Sequence, residues 1–312
     1  MAPIIEVEGL TKRYKRAETN AVDGISFTVE PGELFALLGP NGAGKTTTIS
    51  VLTTTLLPTA GRVRIAGHDV VAQASSVRQN VGIIFQQPSL DMNLTAEENV
   101  RLHAVLYGVS PFRPTFATMP RSYQDSVHEL ATLLSIDREI FNPIRTFSGG
   151  MRRKLEIMRS LIHQPQVLFL DEPTVGLDPA SRRNLWEYLT LARARGGTTV
   201  FLTTHYLEEA EQADTICIIN RGKVVSLGTP AQIKADLIQE YLLIDADDRA
   251  ALRAELLTRA IPFAESPHFR IDLNGWSTHG LLRSIETPLS LVRTHAPTLE
   301  DAYLSIIGRE EA

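Results

Sequence analysis

Apolar and polar positions divide most of the chain into short strands and longer helices. Residues 4–37 and 62–87 have the short apolar runs of strands, with turns predicted at residues 22–24 and 30–33. From residue 148 to residue 230, helical patterns alternate with apolar strand candidates, which are residues 167–170, 199–202 and 216–219. This alternation predicts a mostly parallel sheet with helices against its faces.

Helical patterns also outline several helices in the first half of the chain. One begins within a glycine-rich loop that follows residue 38, and another begins at Thr95, where Glu98 completes a capping-box pattern. A further helix is predicted over residues 122–134. Residues 110–120 contain three prolines, which exclude a continuous helix there, and the sequence assigns this segment no role.

The composition changes after about Asp236, where a smaller second domain is expected. Its strand candidates are residues 241–244, 269–273 and 289–292, and its helical patterns are residues 248–257, 276–285 and a last helix capped by Thr298 and Asp301. We predict one domain over residues 1–235, with a helical subdomain at about residues 92–160. A small α+β domain without a catalytic constellation is predicted over residues 236–312.

Composition and charge limit the class of protein. The 312 residues are 43% hydrophobic and 21% charged, as in ordinary globular proteins, and the formal net charge of −5 argues against a nucleic-acid binder. The single cysteine, Cys217, lies in an apolar run and is expected to be a buried strand thiol. No apolar run approaches the roughly 18 residues that span a bilayer, and no signal peptide is evident, so a cytoplasmic location is expected.

Candidate chemistry begins where the apolar run of residues 34–38 meets a glycine-rich loop. A strand, this loop and a helix in that order form the phosphate-binding motif G-x-x-x-x-G-K-[ST]. Its backbone N–H groups create an anion site, Lys45 adds a positive charge for the phosphates, and Thr46 adds an oxygen for Mg²⁺. The predicted nucleotide-binding residues are Gly39, Pro40, Asn41, Gly42, Ala43, Gly44, Lys45, Thr46 and Thr47.

A second motif is the apolar strand that delivers Asp171 and Glu172 at its carboxyl end. Asp171 would hold Mg²⁺ beside Thr46, and Glu172 would polarise the water that attacks the γ-phosphate. The plain alternative is a strand that ends in a solvated acidic turn. The other motifs of the chain favour the catalytic interpretation.

A third motif, Ser148-Gly149-Gly150, begins a helix upstream of these carboxylates. Ser148 is predicted to cap the helix, and the two glycines expose its N-terminal N–H groups to an anion. Because the chain already has its own phosphate loop, this second anion site is expected to face the ATP held by another subunit.

With these motifs in this order, residues 4–230 resemble the ATP-binding-cassette (ABC) family, in which Ser-Gly-Gly belongs to the signature motif. The resemblance implies an α/β fold, the P-loop NTPase fold of ABC ATPases. That fold has a mostly parallel sheet core, an antiparallel β subdomain and a helical subdomain. The resemblance also implies ATP and Mg²⁺ as cofactors and ATP hydrolysis coupled to transport.

Further positions match the family by order and context. Gln86 resembles the glutamine that senses Mg²⁺ and the γ-phosphate, although Gln87 beside it is an alternative. His205 resembles the switch histidine that contacts the γ-phosphate, whereas the other seven histidines match no motif. Asp178 resembles the D-loop residue that contacts the dimer mate. Tyr14 resembles the aromatic residue that stacks on adenine, with an ordinary tyrosine at a strand end as the alternative.

The signature motif departs from the commonest form, Leu-Ser-Gly-Gly-Gln, at Phe147 and Met151. Met151 cannot make the amide hydrogen bonds of glutamine, but the anion-binding residues 148–150 are intact, so catalysis is expected to survive. The pattern Ser-Gly-Gly-Met-Arg-Arg, with residues 203–210 and 297–304, resembles the daunorubicin-resistance-like branch. Members of that branch are separate ATPase subunits of type-2 ABC exporters.

The resemblance implies two partners: a second copy of the chain across the ATP sites, and a separate integral membrane permease docked on about residues 92–140. The protein would then lie on the cytoplasmic face of the membrane and bind no nucleic acid. Drug, lipid, polysaccharide and peptide substrates stay open, and export is favoured over import. The small C-terminal domain is interpreted as a dimer brace, a regulator of hydrolysis or a stabilising cap.

Two other classes of protein compete with this interpretation. A soluble ABC ATPase that acts on nucleic acid or ribosomes usually has long insertions or two cassettes in one chain, and neither occurs in this sequence. A P-loop kinase or GTPase would leave the Ser-Gly-Gly element without a purpose, and no Asn-Lys-x-Asp guanine motif is present. We therefore predict an ATPase subunit of a transporter.

Overall fold

The computed structural model describes residues 2–85, 89–237, 241–273, 276–295 and 298–311. Contacts within the chain divide it into two compact units, Met1–Leu227 and Gly228–Ala312. The domain boundary that composition places after residue 235 stays a prediction. No helix in the described ranges has both the length and the apolar character needed to cross a membrane.

The elements are as follows. In the described ranges the strands are β1 (Ile5–Lys12), β2 (Val22–Val29), β3 (Leu34–Leu38), β4 (Ala60–Ile65), β5 (His68–Asp69), β6 (Val81–Ile84), β7 (Val167–Asp171), β8 (Thr199–Thr204), β9 (Thr215–Asn220), β10 (Lys223–Gly228), β11 (Tyr241–Asp245), β12 (Ala264–Glu265), β13 (Phe269–Asp272) and β14 (Leu291–His295). The α-helices there are α1 (Lys45–Leu52), α2 (Ala74–Asn80), α3 (Ala96–Leu106), α4 (Arg121–Leu133), α5 (Gly149–Leu161), α6 (Pro179–Gly196), α7 (Leu207–Ala210), α8 (Pro230–Leu237), α9 (Arg249–Thr258), α10 (Thr278–Ser284) and α11 (Leu299–Glu311).

Two sheets of the first unit share one apolar core. One sheet has the strand order β10-β9-β3-β8-β7-β6, in which β6 to β9 and β3 pair in parallel, and the other has the order β2-β1-β4-β5 with antiparallel pairs. Phe35 of β3 stacks on Phe27 of β2 and on Phe201 of β8, with both pairs of ring centroids 5.1 Å apart. These rings bury a large apolar area between the sheets. The predicted fold class is confirmed.

The parallel sheet brings distant motifs to one edge. Strands β3, β7 and β8 are buried along their whole length, as expected for central strands covered on both faces. In their parallel registers Leu38 pairs with Thr204, and Asp171 pairs with Thr203. The phosphate loop, the two carboxylates and His205 all follow the carboxyl ends of these strands, which is where α/β sheets bind ligands.

The helical region agrees with its sequence signals. The capping box before α3 is present, because Thr95 N donates to Glu98 Oε2 at 2.8 Å and Glu98 N donates to Thr95 Oγ1 at 3.2 Å. Between α3 and α4 the proline-rich segment contains only a short 3-10 turn, Phe116–Thr118. Helix α4 runs from Arg121 to Leu133, within one residue of the prediction at each end.

Two local predictions were wrong. The turn expected at residues 22–24 lies inside β2, where Gly24 takes a φ of 71° and the strand continues. Residues 62–87 contain the helix α2 in addition to strands. This helix has no side-chain cap and its only buried residue is Val77, so it carries no apolar period that a pattern could reveal.

The second unit is a small α+β fold. Its sheet has the order β12-β13-β11-β14 with antiparallel pairs, and α9 and α10 connect strands that are not neighbours in the sheet. This is the split βαβ arrangement of ferredoxin-like folds. Strand β14 begins later than predicted, at Leu291, whereas the expected capping pair before α11 is present, with Asp301 N donating to Thr298 Oγ1 at 3.1 Å.

Candidate nucleotide-binding site

The loop between β3 and α1 requires glycine at two positions. A Cβ on Gly39 would lie 2.3 Å from the carbonyl oxygen of Ile219. Gly44 has a φ of 109°, and a Cβ there would lie 2.5 Å from the carbonyl oxygen of Ala21. No real Cβ comes so close to a backbone oxygen, so another residue would displace the loop. The loop therefore keeps a tight curve at the N-terminus of α1, which is the geometry of an anion site.

Lys45 lies inside this curve. Its side chain is 4% exposed, and Nζ donates to the carbonyl oxygens of Gly39 at 2.8 Å and Pro40 at 3.2 Å. Burial lowers the pKa of the Lys45 ammonium, while the carboxylates of Glu172 and Asp171 act in the opposite direction. A desolvated cation held among backbone groups is ready to exchange its carbonyl partners for phosphate oxygens.

Asp171 and Glu172 are fixed by one residue of the neighbouring strand, Thr203. The Thr203 hydroxyl donates to Asp171 Oδ1 at 2.5 Å. The backbone N–H of Glu172 donates to the carbonyl oxygen of Thr203 at 3.1 Å and to Oγ1 at 3.0 Å. Sequence reasoning missed Thr203, although two polar residues at the end of an apolar strand were a usable signal. Burial raises the pKa of Asp171, against hydrogen bonds from Thr203 and Thr46.

Glu172 has an unusual backbone and a shared carboxylate oxygen. Its φ is 45°, a conformation that non-glycine residues rarely adopt and that clusters at functional sites. Glu172 Oε1 lies 3.5 Å from Lys45 Nζ and 3.3 Å from His205 Nδ1. The structure therefore brings the phosphate-loop lysine, the second carboxylate and the switch-histidine candidate together.

Tyr14 lies beside the same loop. Its side chain is 47% exposed, and its hydroxyl is 3.3 Å from Thr47 Oγ1 in the first turn of α1. Asn41, Gly42, Ala43 and Thr46 lie in the same loop and at the start of α1. Gln86, like the alternative Gln87, lies outside the described residues, so its role stays a prediction.

Ser148, Gly149 and Gly150 form the start of α5, as predicted. Ser148 Oγ accepts from Met151 N at 3.2 Å, which caps the helix. A Cβ on Gly149 would meet open space, whereas one on Gly150 would lie 2.8 Å from Ser181 Oγ. The three residues line a cavity of about 440 Å³ together with Gly176, Leu177 and Asp178.

Asp178 caps α6 of its own chain. Its carboxylate accepts from Ala180 N and Ser181 N, both at 3.0 Å, and from Ser181 Oγ at 2.6 Å. The contact of Asp178 with a dimer mate stays a prediction. In the described part of the chain, no hydrogen bond or ion pair connects residues 148–150 with Lys45 or Glu172, so the two clusters are separate.

Comparisons with known proteins agree with this geometry. Residues 22–175 match the family model of ABC transporters. Nod factor export ATP-binding protein I of Ralstonia nicotianae (strain ATCC BAA-1114 / GMI1000) is 38% identical over 328 residues, covering 99% of this chain and 95% of that protein. Daunorubicin/doxorubicin resistance ATP-binding protein DrrA of Streptomyces peucetius is 41% identical over 250 residues, covering 79% and 72%. A solved structure of the ATP-binding subunit of an ABC transporter has a TM-score of 0.65 and 31% identity, covering 75% of this chain and 92% of its own.

Both relatives are ATP-binding proteins, one named for export and the other for drug resistance. Their names confirm the predicted exporter branch and give no support to the alternative of an ATPase that acts on nucleic acid or ribosomes. The phosphate loop, the two carboxylates and the separate glycine-rich helix start all lie within the part of the chain that both relatives match. The chain therefore belongs to the ATP-binding-cassette family, as an ATP-binding and ATP-hydrolysing subunit of the daunorubicin-resistance-like exporter branch.

Proposed function

We propose that this protein hydrolyses ATP at a site shared by two copies of the chain and drives export through a separate membrane permease. The observation that carries this proposal is the grouping of Lys45 and His205 around a single oxygen of Glu172, at 3.5 and 3.3 Å. A carboxylate between a phosphate-binding cation and an imidazole is suited to act as a general base beside a γ-phosphate. Turnover of ATP is thereby linked to this one constellation.

In the proposed reaction, Glu172 accepts a proton from the attacking water. The new bond forms between the water oxygen and the γ-phosphorus, and the bond from phosphorus to the ADP oxygen breaks. Lys45 and the backbone N–H groups of the loop hold the phosphates, and His205 contacts the γ-phosphate. Tyr14, exposed beside Thr47, is placed to stack on the adenine ring.

Mg²⁺ fits the oxygen donors at the end of β7. Mg²⁺ usually binds through one or two carboxylates and hydroxyls together with substrate phosphates. The Asp171 carboxylate is buried and hydrogen-bonded by the Thr46 hydroxyl, so the two expected donors are adjacent. We infer that Asp171 and Thr46 hold the ion, with Gln86 as a further predicted ligand. The ion would supply positive charge against the negative charge that develops on the phosphates.

Thr203→Val is expected to lower the free energy of unfolding by about 1–3 kcal/mol, because a buried carboxylate oxygen loses its donor and the shape of the side chain is kept. Urea unfolding measures this change. Thr203→Ser restores the hydroxyl and serves as the matched control, so it should recover most of the loss. Equal stability of the valine and serine variants would contradict the assigned hydrogen bond to Asp171.

We propose that Ser148, Gly149 and Gly150 face the ATP of a second copy. Three features support this: the helix start is capped, its glycines leave the N–H groups accessible, and it forms a cluster apart from the phosphate loop of the same chain. Two ATP molecules would then lie between two chains. Hydrolysis would remove the negative charge that holds the halves together, which gives a two-state element able to move a partner.

The helical region carries an exposed apolar surface suited to a permease. Leu102, Leu106, Val109 and Phe112 are exposed along α3 and the segment after it, and Leu106 is 83% exposed. Contiguous exposed apolar residues of this kind mark interaction sites. This supports docking of the permease on residues 92–140, which would place the protein on the cytoplasmic face of the membrane. The names of the relatives support export of a drug-, lipid- or polysaccharide-type substrate.

The test is affinity purification of the Glu172→Gln protein from detergent-solubilised membranes in the presence of ATP and Mg²⁺. We expect one multi-span membrane protein to be recovered in an equal amount. The same purification without nucleotide shows whether dimer closure affects the recovery. Recovery of ribosomes or DNA-bound proteins in place of a membrane protein would overturn the transporter assignment and leave the ATP site standing.

A further inference from the structure

Three side chains of α5 hold the chain at two points, one on each side of residues 86–88. Arg153, Glu156 and Arg159 follow one another at intervals of three residues, so they lie on adjoining faces of the helix. Their partners are Phe85, directly after β6, and Ser89. We refer to Arg153, Glu156 and Arg159 as the α5 clamp.

The clamp contacts are short and directed at the backbone. Arg153 Nη1 donates to the carbonyl oxygen of Phe85 at 2.8 Å. Glu156 Oε1 accepts from Ser89 N at 3.0 Å. Arg159 donates to the carbonyl oxygen of Ser89 at 2.7 Å and to its Oγ at 2.5 Å. An ion pair of 3.1 Å between Arg153 and Glu156 joins the two ends of the clamp.

Burial makes this arrangement costly unless the groups stay paired. Arg153 is 7% exposed and Glu156 is 1% exposed. Burial lowers the pKa of the guanidinium groups of Arg153 and Arg159, with Glu156 acting in the opposite direction. Apolar side chains would fill the same volume at least as well, since a buried ion pair is weak evidence for stability. Buried charges aimed at backbone groups are better explained by a need for a fixed register.

The same helix begins at the glycine-rich residues 148–150, about one turn before Arg153. One rigid element therefore carries two functional connections. Its N-terminus is directed, in the proposed dimer, at the ATP of the other copy. Its next two turns hold the residues that flank Gln86, the position predicted to contact the ATP of the same copy.

We propose that Arg153, Glu156 and Arg159 are positioning residues that couple the two ATP sites of the dimer, an inference that rests on the proposed function. They fix the distance between the start of α5 and residues 85 and 89. A shift of one ATP site is thereby transmitted to the other. Because coupling free energies are reciprocal, ATP at either site favours closure at both.

The test uses the Glu172→Gln protein as parent, with Arg153→Met and Glu156→Met combined so that no buried charge is left alone. We expect the ATP concentration for half-maximal dimerisation, measured by sedimentation, to rise by about 3- to 30-fold, the range found for changes along coupling networks. Binding of a fluorescent ATP analogue to the monomer should be unchanged, because the phosphate loop is untouched.

The matched control is a second buried ion pair in the same region, Glu97 and Arg101 of α3. Arg101 Nε lies 3.4 Å from Glu97 Oε1, and both residues are buried, but neither contacts Phe85 or Ser89 in the described structure. Replacing both with methionine should leave dimerisation at the parent level. Arg159→Met, which breaks only the bonds to Ser89, provides a second clamp variant if the first folds poorly.

The outcomes separate the proposals. Dimerisation of both clamp variants at the parent's ATP concentration would overturn the coupling and leave the dimer intact. An equal rise in the Glu97 and Arg101 control would show a structural role alone, which would also overturn it. Failure of the parent protein itself to dimerise would overturn the dimer, and the coupling with it. Arg153→Lys, which keeps a donor for Phe85, should recover part of the lost dimerisation.

Discussion

Glu172→Gln is expected to lower the rate of ATP turnover by about 10²- to 10⁴-fold, the usual contribution of a general base. Glutamine has nearly the same shape, so it fits between Lys45 and His205, which lie 3.5 and 3.3 Å from Glu172 Oε1. It cannot accept a proton at that position. Phosphate release at saturating ATP and Mg²⁺ measures the change.

ATP binding should survive this substitution, because the contacts of the phosphate loop do not depend on a negative charge at residue 172. The variant is therefore expected to accumulate as an ATP-bound dimer. Glu208→Gln is the matched control: Glu208 is exposed in α7, three residues after His205, and the same loss of charge there should leave turnover unchanged. Turnover of the Glu172 variant within a few-fold of the parent would remove Glu172 from the role of general base.

The backbone of Glu172 explains why this residue is sensitive to its surroundings. A φ of 45° is costly for a residue with a Cβ, and it is kept here by two hydrogen bonds from Glu172 N to Thr203. The conformation turns the side chain away from the line of β7 and toward Lys45. General-base chemistry at this site therefore depends on a threonine of the neighbouring strand.

Local signals allowed much of the site to be predicted from sequence. The phosphate loop depends on a continuous run of residues, and both Gly39 and Gly44 are required by contacts within that run and with its immediate neighbours. The Thr95 capping box and the Ser148 cap are likewise set within three residues. Such features need no knowledge of how distant segments meet.

Features that depend on distant segments were missed. Thr203 acts on Asp171 only because β7 and β8 pair in one particular parallel register. The clamp residues hold positions that precede them by about 70 residues, and their charges alone suggested a solvated helix face. Helix α2 was missed for the opposite reason: it buries so little that packing leaves no pattern in its sequence.

Lys45→Met is expected to weaken ATP binding by about 10- to 100-fold, since each hydrogen bond to a charged group contributes about 1.5–3 kcal/mol. Methionine keeps the apolar stem of the side chain but not its ammonium, so the loop would bind phosphates through backbone N–H groups alone. Titration of the protein with a fluorescent ATP analogue measures the change. Lys223→Met is the matched control, because Lys223 is an exposed surface lysine paired with Asp23 at 3.6 Å.

Loss of affinity in this variant would not arise from unfolding. The Lys45 ammonium is buried, and its lowered pKa shows that desolvation outweighs the attraction of Glu172 and Asp171. Removing the charge should therefore leave the free energy of unfolding equal or higher, as measured in urea. An affinity equal to that of the Lys223 control would contradict the assignment of Lys45 to the phosphates. A normal affinity for ATP in Glu172→Gln beside a weakened one in Lys45→Met would separate binding from chemistry at neighbouring residues of one site.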